Sequence, residues 1–169
     1  MRHERAVGIP VTREQMELGD LITREAVFPA LKAHSKKQAL QELAQEAAKL
    51  TGVDGRQIFE TLLQRERLGS TAIGRGIAIP HGRVAGLTNI VSLFARLTQP
   101  IEFGALDDEN VDLIFLLLAP EHAGADHLKA LARISRLLRE PSTIEKLRSS
   151  KDRPALYAVL TAPAASHAA

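Results

Sequence analysis

Val111-Asp112-Leu113-Ile114-Phe115-Leu116-Leu117-Leu118 is the stretch that decides the fold of this chain of 169 residues. Every residue in it except Asp112 is apolar, and the apolar residues follow one another without alternation. Such a short, continuous apolar run predicts a β-strand that is buried on both faces. A strand covered on both faces needs other layers packed against it, so this stretch indicates a layered domain.

Two further strands are predicted before it in the chain. Residues 89–98 form one, and Ile77-Ala78-Ile79 forms a shorter one that Pro80 ends. Residues 89–98 and 111–118 lie too close together in the chain for a helical crossover between parallel strands. We therefore expect a mixed sheet.

Two helices are predicted ahead of the strands. The first begins with Ser35 and Gln38, which have the spacing of a capping box, continues as an apolar stripe at helical spacing and ends at Gly52. The second begins with Asp54 and Gln57, which repeat the same spacing. Both helices carry an apolar face that would pack on a sheet.

Three more helices are predicted after the strands. Asp126 would cap the first, Ser142 and Glu145 would form a capping box for a short second one, and residues 153–161 would form the last. Together with the strands, these helices predict one α/β domain, a mixed β-sheet with helices on both faces.

The ends of the chain differ from its middle. Residues 1–16 have little apolar content, and residues 163–169 are rich in alanine. We predict an N-terminal extension over residues 1–16 and a flexible tail over 163–169. The folded domain is then expected to span residues 17–162.

Composition excludes several classes of function. The chain has no cysteine, and its 22 Lys and Arg are nearly balanced by 20 Asp and Glu without a basic cluster, so no nucleic acid partner is expected. The apolar run at 113–120 is too short to span a bilayer, and no apolar stretch follows the charged start. We therefore expect a cytoplasmic protein without membrane insertion.

Cofactor motifs are also missing. Gly74 and Gly76 do not extend to a dinucleotide fingerprint, because Ile79 stands where the next glycine would be, and no Walker loop is present. His81, His122 and His127 have no recognisable metal-ligand spacing. We expect neither a metal nor another cofactor.

The stretch most informative about chemistry is Glu66-Arg-Leu-Gly-Ser-Thr-Ala-Ile-Gly-Arg-Gly-Ile-Ala-Ile-Pro-His-Gly82. His81 follows the short strand, where Pro80 fixes the backbone before it and Gly82 leaves room for a bulky group or a partner's backbone. A neutral imidazole is a good nucleophile near pH 7. Phosphoryl transfer, which needs mainly positioning and charge stabilisation, suits a histidine held in this way.

Groups that would stabilise a phosphoryl group lie nearby in the sequence. Arg65 would offer a charged fork, and His127 would lie in the first turn of a helix, where the dipole favours an anion. Backbone N–H groups of the glycine-rich loop would cradle oxygens. The loop residues considered are Ser70, Thr71, Gly74 and Gly76.

Residue types alone leave simpler readings open. A single histidine after a strand is more often structural or exposed than catalytic, and an arginine on a helix is usually solvated. His127 taken alone fits a surface or capping residue, and the glycines fit plain turns.

Resemblance to a known family favours the catalytic reading. Residues 65–71 and 74–82 resemble the signature of the mannitol/fructose/nitrogen class of enzyme IIA in bacterial phosphotransferase systems, and most of all its nitrogen-regulatory form. The likeness covers about residues 17–162, the enzyme IIA type-2 domain. It implies a mixed sheet with helices on both sides, phosphorylation of His81 on Nε2, and active-site roles for His127 and Arg65.

Two positions depart from the nitrogen-regulatory pattern. Ala72 stands where that form usually has Gly, and Arg75 stands where it usually has Asn. Ala72 predicts a slightly different loop. Arg75 adds a positive charge that would either contact the phosphoryl group or point to solvent.

The resemblance implies a phosphocarrier that accepts a phosphoryl group on His81 from an HPr-like protein and regulates targets according to its phosphorylation state. Targets in the family include potassium transport and sensor kinases. Two alternatives remain open: an enzyme IIA of a fructose- or mannitol-type uptake system that passes phosphate to a IIB domain, and a purely regulatory protein-binding module.

Overall fold

The computed structural model describes residues 17–162, so the predicted extension at 1–16 and tail at 163–169 lie outside the described residues. Two short 3-10 helices, Leu18–Asp20 and Arg24–Ala26, precede the first strand. The remaining elements are β1 (Val27–Leu31), α1 (Lys36–Thr51), α2 (Gly55–Arg67), β2 (Ala72–Gly74), β3 (Ile77–Ala78), β4 (His81–Val84), β5 (Val91–Ile101), β6 (Val111–Pro120), α3 (Ala125–Leu137), α4 (Pro141–Ser149) and α5 (Arg153–Leu160).

Within residues 17–162, strand β6 is the centre of a six-stranded mixed sheet. β5 runs antiparallel along one side of it, and β3 and β4 run parallel along the other. β1 extends the sheet beyond β5 in parallel, and β2 extends it beyond β3 in antiparallel orientation. The predicted mixed sheet is confirmed.

The long apolar strand lies where its sequence indicates. Residues 113–120 are all buried, and because successive side chains of a strand point to opposite faces, both faces of β6 are covered. Phe115 meets Phe94 of β5 edge to face, with 6.1 Å between ring centroids. The predicted α/β fold with a doubly covered sheet is therefore confirmed.

The first predicted helix is confirmed at both ends. Ser35 Oγ accepts a hydrogen bond from Gln38 N at 3.1 Å, and Gly52 takes a left-handed conformation with φ 78° after the last turn. The side chain of Gln38 accepts from His34 N at 2.7 Å instead of from Ser35 N, so the capping box is only half formed.

The other two predicted capping boxes are wrong. Asp54 precedes α2 but its side chain makes no capping bond, and Gln57 instead donates to the carbonyl of Ala85 at 3.1 Å. Helix α4 begins at Pro141, earlier than the predicted cap at Ser142, since proline is favoured in the first helical turn.

The start of α3 also differs from the prediction. Asp126 is the second residue of this helix and does not cap it, because the chain turns at Gly124, which takes φ 57°. The helix then begins at Ala125, and His127 lies in its first turn as predicted.

Two edge strands are absent from the sequence-based prediction. β1 contains Pro29, which a strand tolerates only where its missing N–H is not needed, such as at the sheet edge that β1 forms. β2 lies at the opposite edge, inside the predicted loop at 69–76. Short, partly exposed edge strands lack the alternation that identifies a strand in a sequence.

Candidate functional site

His81 begins a strand, whereas the sequence predicted that the strand would end at Pro80. β3 and β4 follow one another along the same side of β6, with Ala78 opposite Ile114 and His81 opposite Leu117. Between them, the carbonyl of Pro80 accepts a hydrogen bond from Leu117 N at 3.0 Å. Pro80 therefore interrupts the ladder only briefly. The residues before and after it both pair with the buried strand β6, and this pairing fixes the position of His81.

Gly82 allows β4 to pack closely against α2. A Cβ at this position would lie 2.8 Å from Thr61 Cγ2, closer than two such carbons can approach. The room that Gly82 leaves is therefore occupied by Thr61 of this same chain. The close contact brings the last turn of α2, which carries Arg65, next to His81.

The imidazole of His81 has a defined orientation. Its Nδ1 lies 2.8 Å from the carbonyl oxygen of Ile79, and because a carbonyl only accepts, Nδ1 carries the proton and Nε2 keeps a lone pair. Burial lowers the pKa of His81, the Ile79 carbonyl opposes this effect, and the positive charge of Arg65 lowers the pKa further. Nearby Glu66 acts in the opposite direction to Arg65. The net lowering favours the neutral, nucleophilic ring.

His127 lies beside His81, with 5.7 Å between the ring centroids and an edge-to-face arrangement. It is 7% exposed, and its Nε2 has no hydrogen-bond partner among the described residues. Burial lowers the pKa of His127, and repulsion from His81 and Arg83 lowers it further.

Three arginines surround the two histidines. A cavity of about 550 Å³ opens beside the rings, and within the described part of the chain no carboxylate lines it. Its lining consists of Thr61, Gln64, Arg65, Arg67, Leu68, His81, Gly82, Arg83 and His127. Such an excess of guanidinium groups favours an anionic ligand.

Arg65 is held at the end of α2. Its Nη1 donates a hydrogen bond to the carbonyl of Gly69 at 2.8 Å. The structure thus places Arg65 and His127 at the cavity with His81, as the sequence analysis expected. Their part in the chemistry stays a prediction.

Glu66, the neighbour of Arg65, makes contacts that stabilise the fold around the site. Its buried carboxylate accepts from Thr71 N at 3.1 Å and from the hydroxyl of Thr71, and it pairs with Lys36 Nζ at 2.9 Å. These contacts fasten the loop that follows α2 to both helices.

The structure does not place the four loop residues proposed from the sequence at the cavity beside His81. Ser70 Oγ donates to the carbonyl of Phe103 at 2.8 Å, and Thr71 is engaged with Glu66. Gly74 and Gly76 lie on another side, beside Asp107 and beside the Asp112–Arg148 ion pair, respectively. None of Ser70, Thr71, Gly74 or Gly76 lines the cavity.

Arg75 also lies away from this cavity. It takes φ 59°, and its Nη1 donates to the carbonyl of Arg139 at 3.2 Å. It lines a separate depression together with Arg148 and Ile144. Of the two possibilities for Arg75, contact with a phosphoryl group on His81 is therefore not favoured.

Arg67 and Arg83 line the cavity but are not among the site residues that the sequence analysis named. Arg83 lies two positions after His81 in β4, and side chains two apart in a strand share a face. The spacing of His81 and Arg83 is a signal of this shared face, but a strand predicted to end at Pro80 does not contain either residue. Arg83 Nε contacts His127 Nδ1 at 3.4 Å.

Across residues 17–162 no group of three or more His, Asp or Glu side chains is arranged to hold a metal ion, and His122 is exposed outside the cavity. None of the helices within that same range is long and apolar enough to cross a bilayer.

Comparison with known proteins assigns this chain to a class. Residues 20–162 match the family described as "Phosphoenolpyruvate-dependent sugar phosphotransferase system, EIIA 2", and the chain belongs to this family. Within it, the chain is 60% identical over 153 residues to the nitrogen regulatory protein of Bradyrhizobium diazoefficiens, covering 90% of this chain and 100% of that protein.

Solved structures give the same assignment. The nitrogen regulatory protein IIA-Ntr of Neisseria meningitidis is similar with a TM-score of 0.81 and 33% identity, covering 85% of this chain and 99% of that one. IIA mannitol of Escherichia coli shares the fold with a TM-score of 0.70 and 23% identity, covering 82% and 97% of the two chains.

Proposed function

We propose that this protein is the phosphocarrier of a nitrogen-related phosphotransferase system, and that it accepts a phosphoryl group on Nε2 of His81 from an HPr-like protein. The observation that carries the proposal is the bond between His81 Nδ1 and the carbonyl of Ile79, which leaves the lone pair on Nε2. That ring borders a cavity lined by arginines and by His127.

The transfer follows from these groups. The Nε2 lone pair attacks phosphorus while the phosphorus–nitrogen bond to the donor's histidine breaks and leaves its electron pair on the donor's ring. Charge spreads over the three equatorial oxygens in the loose transition state. Arg65 and His127 stabilise that charge, and Nδ1 of His81 keeps its proton throughout.

Phosphorylation then acts as a signal through charge. A phosphoryl group adds about two negative charges at pH 7. Placed among Arg65, Arg67 and Arg83, it offsets about two of the three positive charges that line the cavity. Targets, for which potassium transport and sensor kinases are the candidate classes, would distinguish the two forms in the cytoplasm by this change.

The nitrogen branch is preferred on similarity. The 60% identity to a nitrogen regulatory protein extends over that protein's full length, whereas identity to IIA mannitol is 23%. The alternatives are a sugar-uptake enzyme IIA that passes phosphate to a IIB domain and a regulatory module that binds targets without phosphoryl transfer.

Labelling from phosphoenolpyruvate tests the proposal. The protein is mixed with enzyme I and HPr proteins of the nitrogen and the sugar branch in parallel, and the rates of labelling are compared. We expect faster labelling from the nitrogen-branch set, loss of label in His81→Ala and normal labelling in His122→Ala, whose ring is exposed outside the cavity.

Each alternative has its own outcome in this experiment. Faster transfer from the sugar-branch HPr, followed by passage to a IIB domain, would support the uptake role. Failure of the parent protein to label with either set would support the regulatory binding module. Undiminished labelling of His81→Ala would refute the assignment of His81 as the phosphorylated residue.

A further inference from the structure

We infer that Arg83 is a positioning residue of this site, whose guanidinium holds His127 in the tautomer that carries its proton on Nε2. That N–H would donate a hydrogen bond to a phosphoryl oxygen on His81, and this part of the inference rests on the proposed function. The tautomer itself does not, because it follows from contacts of the unphosphorylated protein.

The contact between Arg83 and His127 sets the tautomer. Arg83 Nε lies 3.4 Å from His127 Nδ1, and a guanidinium has donors but no acceptor. The favourable arrangement therefore places a lone pair on Nδ1. In a neutral ring the proton is then on Nε2. The other tautomer would direct an N–H on Nδ1 of His127 against the N–H on Nε of Arg83.

The surroundings of Nε2, the second ring nitrogen of His127, show why the tautomer matters. Nε2 of His127 is buried and has no partner among the described residues, although buried polar groups are rarely left unpaired. The ring lies beside His81, with 5.7 Å between centroids. A donor fixed here before phosphorylation would need no rearrangement when negative charge arrives.

The sheet register explains why Arg83, and not another arginine of the cavity, has this role. β4 pairs in parallel with β6, so Arg83 lies opposite Ala119, at the end of β6 from which the chain continues to α3 and His127. Arg65 is instead tied to the carbonyl of Gly69. Arg67 lines the cavity but makes no hydrogen bond to either ring within the described part of the chain.

Nuclear magnetic resonance of the ring nitrogens tests the inference on the unphosphorylated protein at a pH where His127 is neutral. The parent should show His127 protonated on Nε2 and unprotonated on Nδ1. Arg83→Met, which keeps a long side chain without donors, should shift His127 toward a mixture of tautomers. Arg83→Lys, which still donates, should restore the parental pattern.

Arg67→Met is the matched control, since it removes one positive charge from the same cavity and leaves the donor to Nδ1 in place. It should leave the His127 nitrogen signals unchanged. Parental signals in Arg83→Met, or a proton on Nδ1 in the parent, would overturn the inference. Backbone amide spectra of each variant establish that it is folded.

Phosphoryl-transfer rates give the functional readout. Groups that orient a histidine ring in metal sites are worth about ten- to a hundredfold in activity, and we expect about a tenfold slower transfer in Arg83→Met with recovery in Arg83→Lys. A tautomer change without a rate change would refute the positioning role. Absence of labelling in the parent would refute the proposed function and leave the tautomer result standing.

Discussion

Nδ1 of His81 lies 2.8 Å from the carbonyl oxygen of Ile79, its neighbour across Pro80. The ring of Pro80 fixes φ between the two residues, so the carbonyl of Ile79 and the imidazole of His81 are held together by local geometry. Because the proton stays on Nδ1, the same contact leaves Nε2 as the atom that would attack and carry the phosphoryl group in the proposed function.

Acceptance of the phosphoryl group should persist to lower pH than an ordinary histidine allows. Burial and the charge of Arg65 lower the pKa of His81 below the usual value of 6.5, so the neutral ring remains the main form as pH falls through that value. Ring titration by nuclear magnetic resonance should give a midpoint for His81 below 6.5. A midpoint at or above 6.5 would contradict this prediction.

His127→Ala should still accept phosphate but slowly. Removing one preorganised donor to a developing charge lowers a rate by about 10²- to 10³-fold. Rapid-quench measurement of label transfer from the phosphorylated HPr-like protein, against His122→Ala as control, gives the ratio. His127→Gln, whose amide can donate, should lose less, and equal rates for all three proteins would remove His127 from the mechanism.

Arg65→Gln should slow transfer and raise the pKa of His81, because the positive charge that opposes protonation of the ring is removed. Both effects are measured on one protein, by quench kinetics and by ring titration. The control is Arg136→Gln, which changes an exposed arginine on α3 outside the cavity. An unchanged midpoint in Arg65→Gln would show that its charge does not reach the imidazole.

Gly82→Ala should destabilise the fold by about 1–3 kcal/mol, the usual effect of overpacking. The added Cβ would lie 2.8 Å from Thr61 Cγ2. Thr61→Ser removes that methyl group, so the double variant should recover most of the loss in urea-induced unfolding. If Thr61→Ser gives no recovery, the contact between β4 and α2 is not the reason for glycine at this position.

Local patterns predicted much of the fold correctly. The uninterrupted apolar run identified β6, and the Ser35–Gly52 helix was recognised because its first and last residues interact with neighbours a few positions away. The incorrect capping boxes show the limit of such patterns. Gln57 has the right spacing for a cap, but the carbonyl of Ala85, far away in the chain, offers a competing acceptor.

The glycine-rich loop illustrates the same limit at the site. Its composition fits a phosphate cradle, yet Thr71 is turned toward the buried carboxylate of Glu66 and Ser70 toward Phe103. The hydrogen-bond partner of each hydroxyl depends on residues elsewhere in the fold, and the spacing of a sequence motif does not describe where those residues lie. Sequence alone could therefore identify the loop but not its orientation.

The sequence by itself determined the buried strand, the family and the choice of His81, His127 and Arg65 as candidates, since these depend on residue type and on short-range order. Only the tertiary structure decided that Arg83 lines the same cavity and that Ser70, Thr71, Gly74 and Gly76 do not. Arg83 and His127 lie 44 positions apart, and they meet because β4 pairs with β6 in a particular register. A register is set by packing across the whole sheet, so no local pattern contains it.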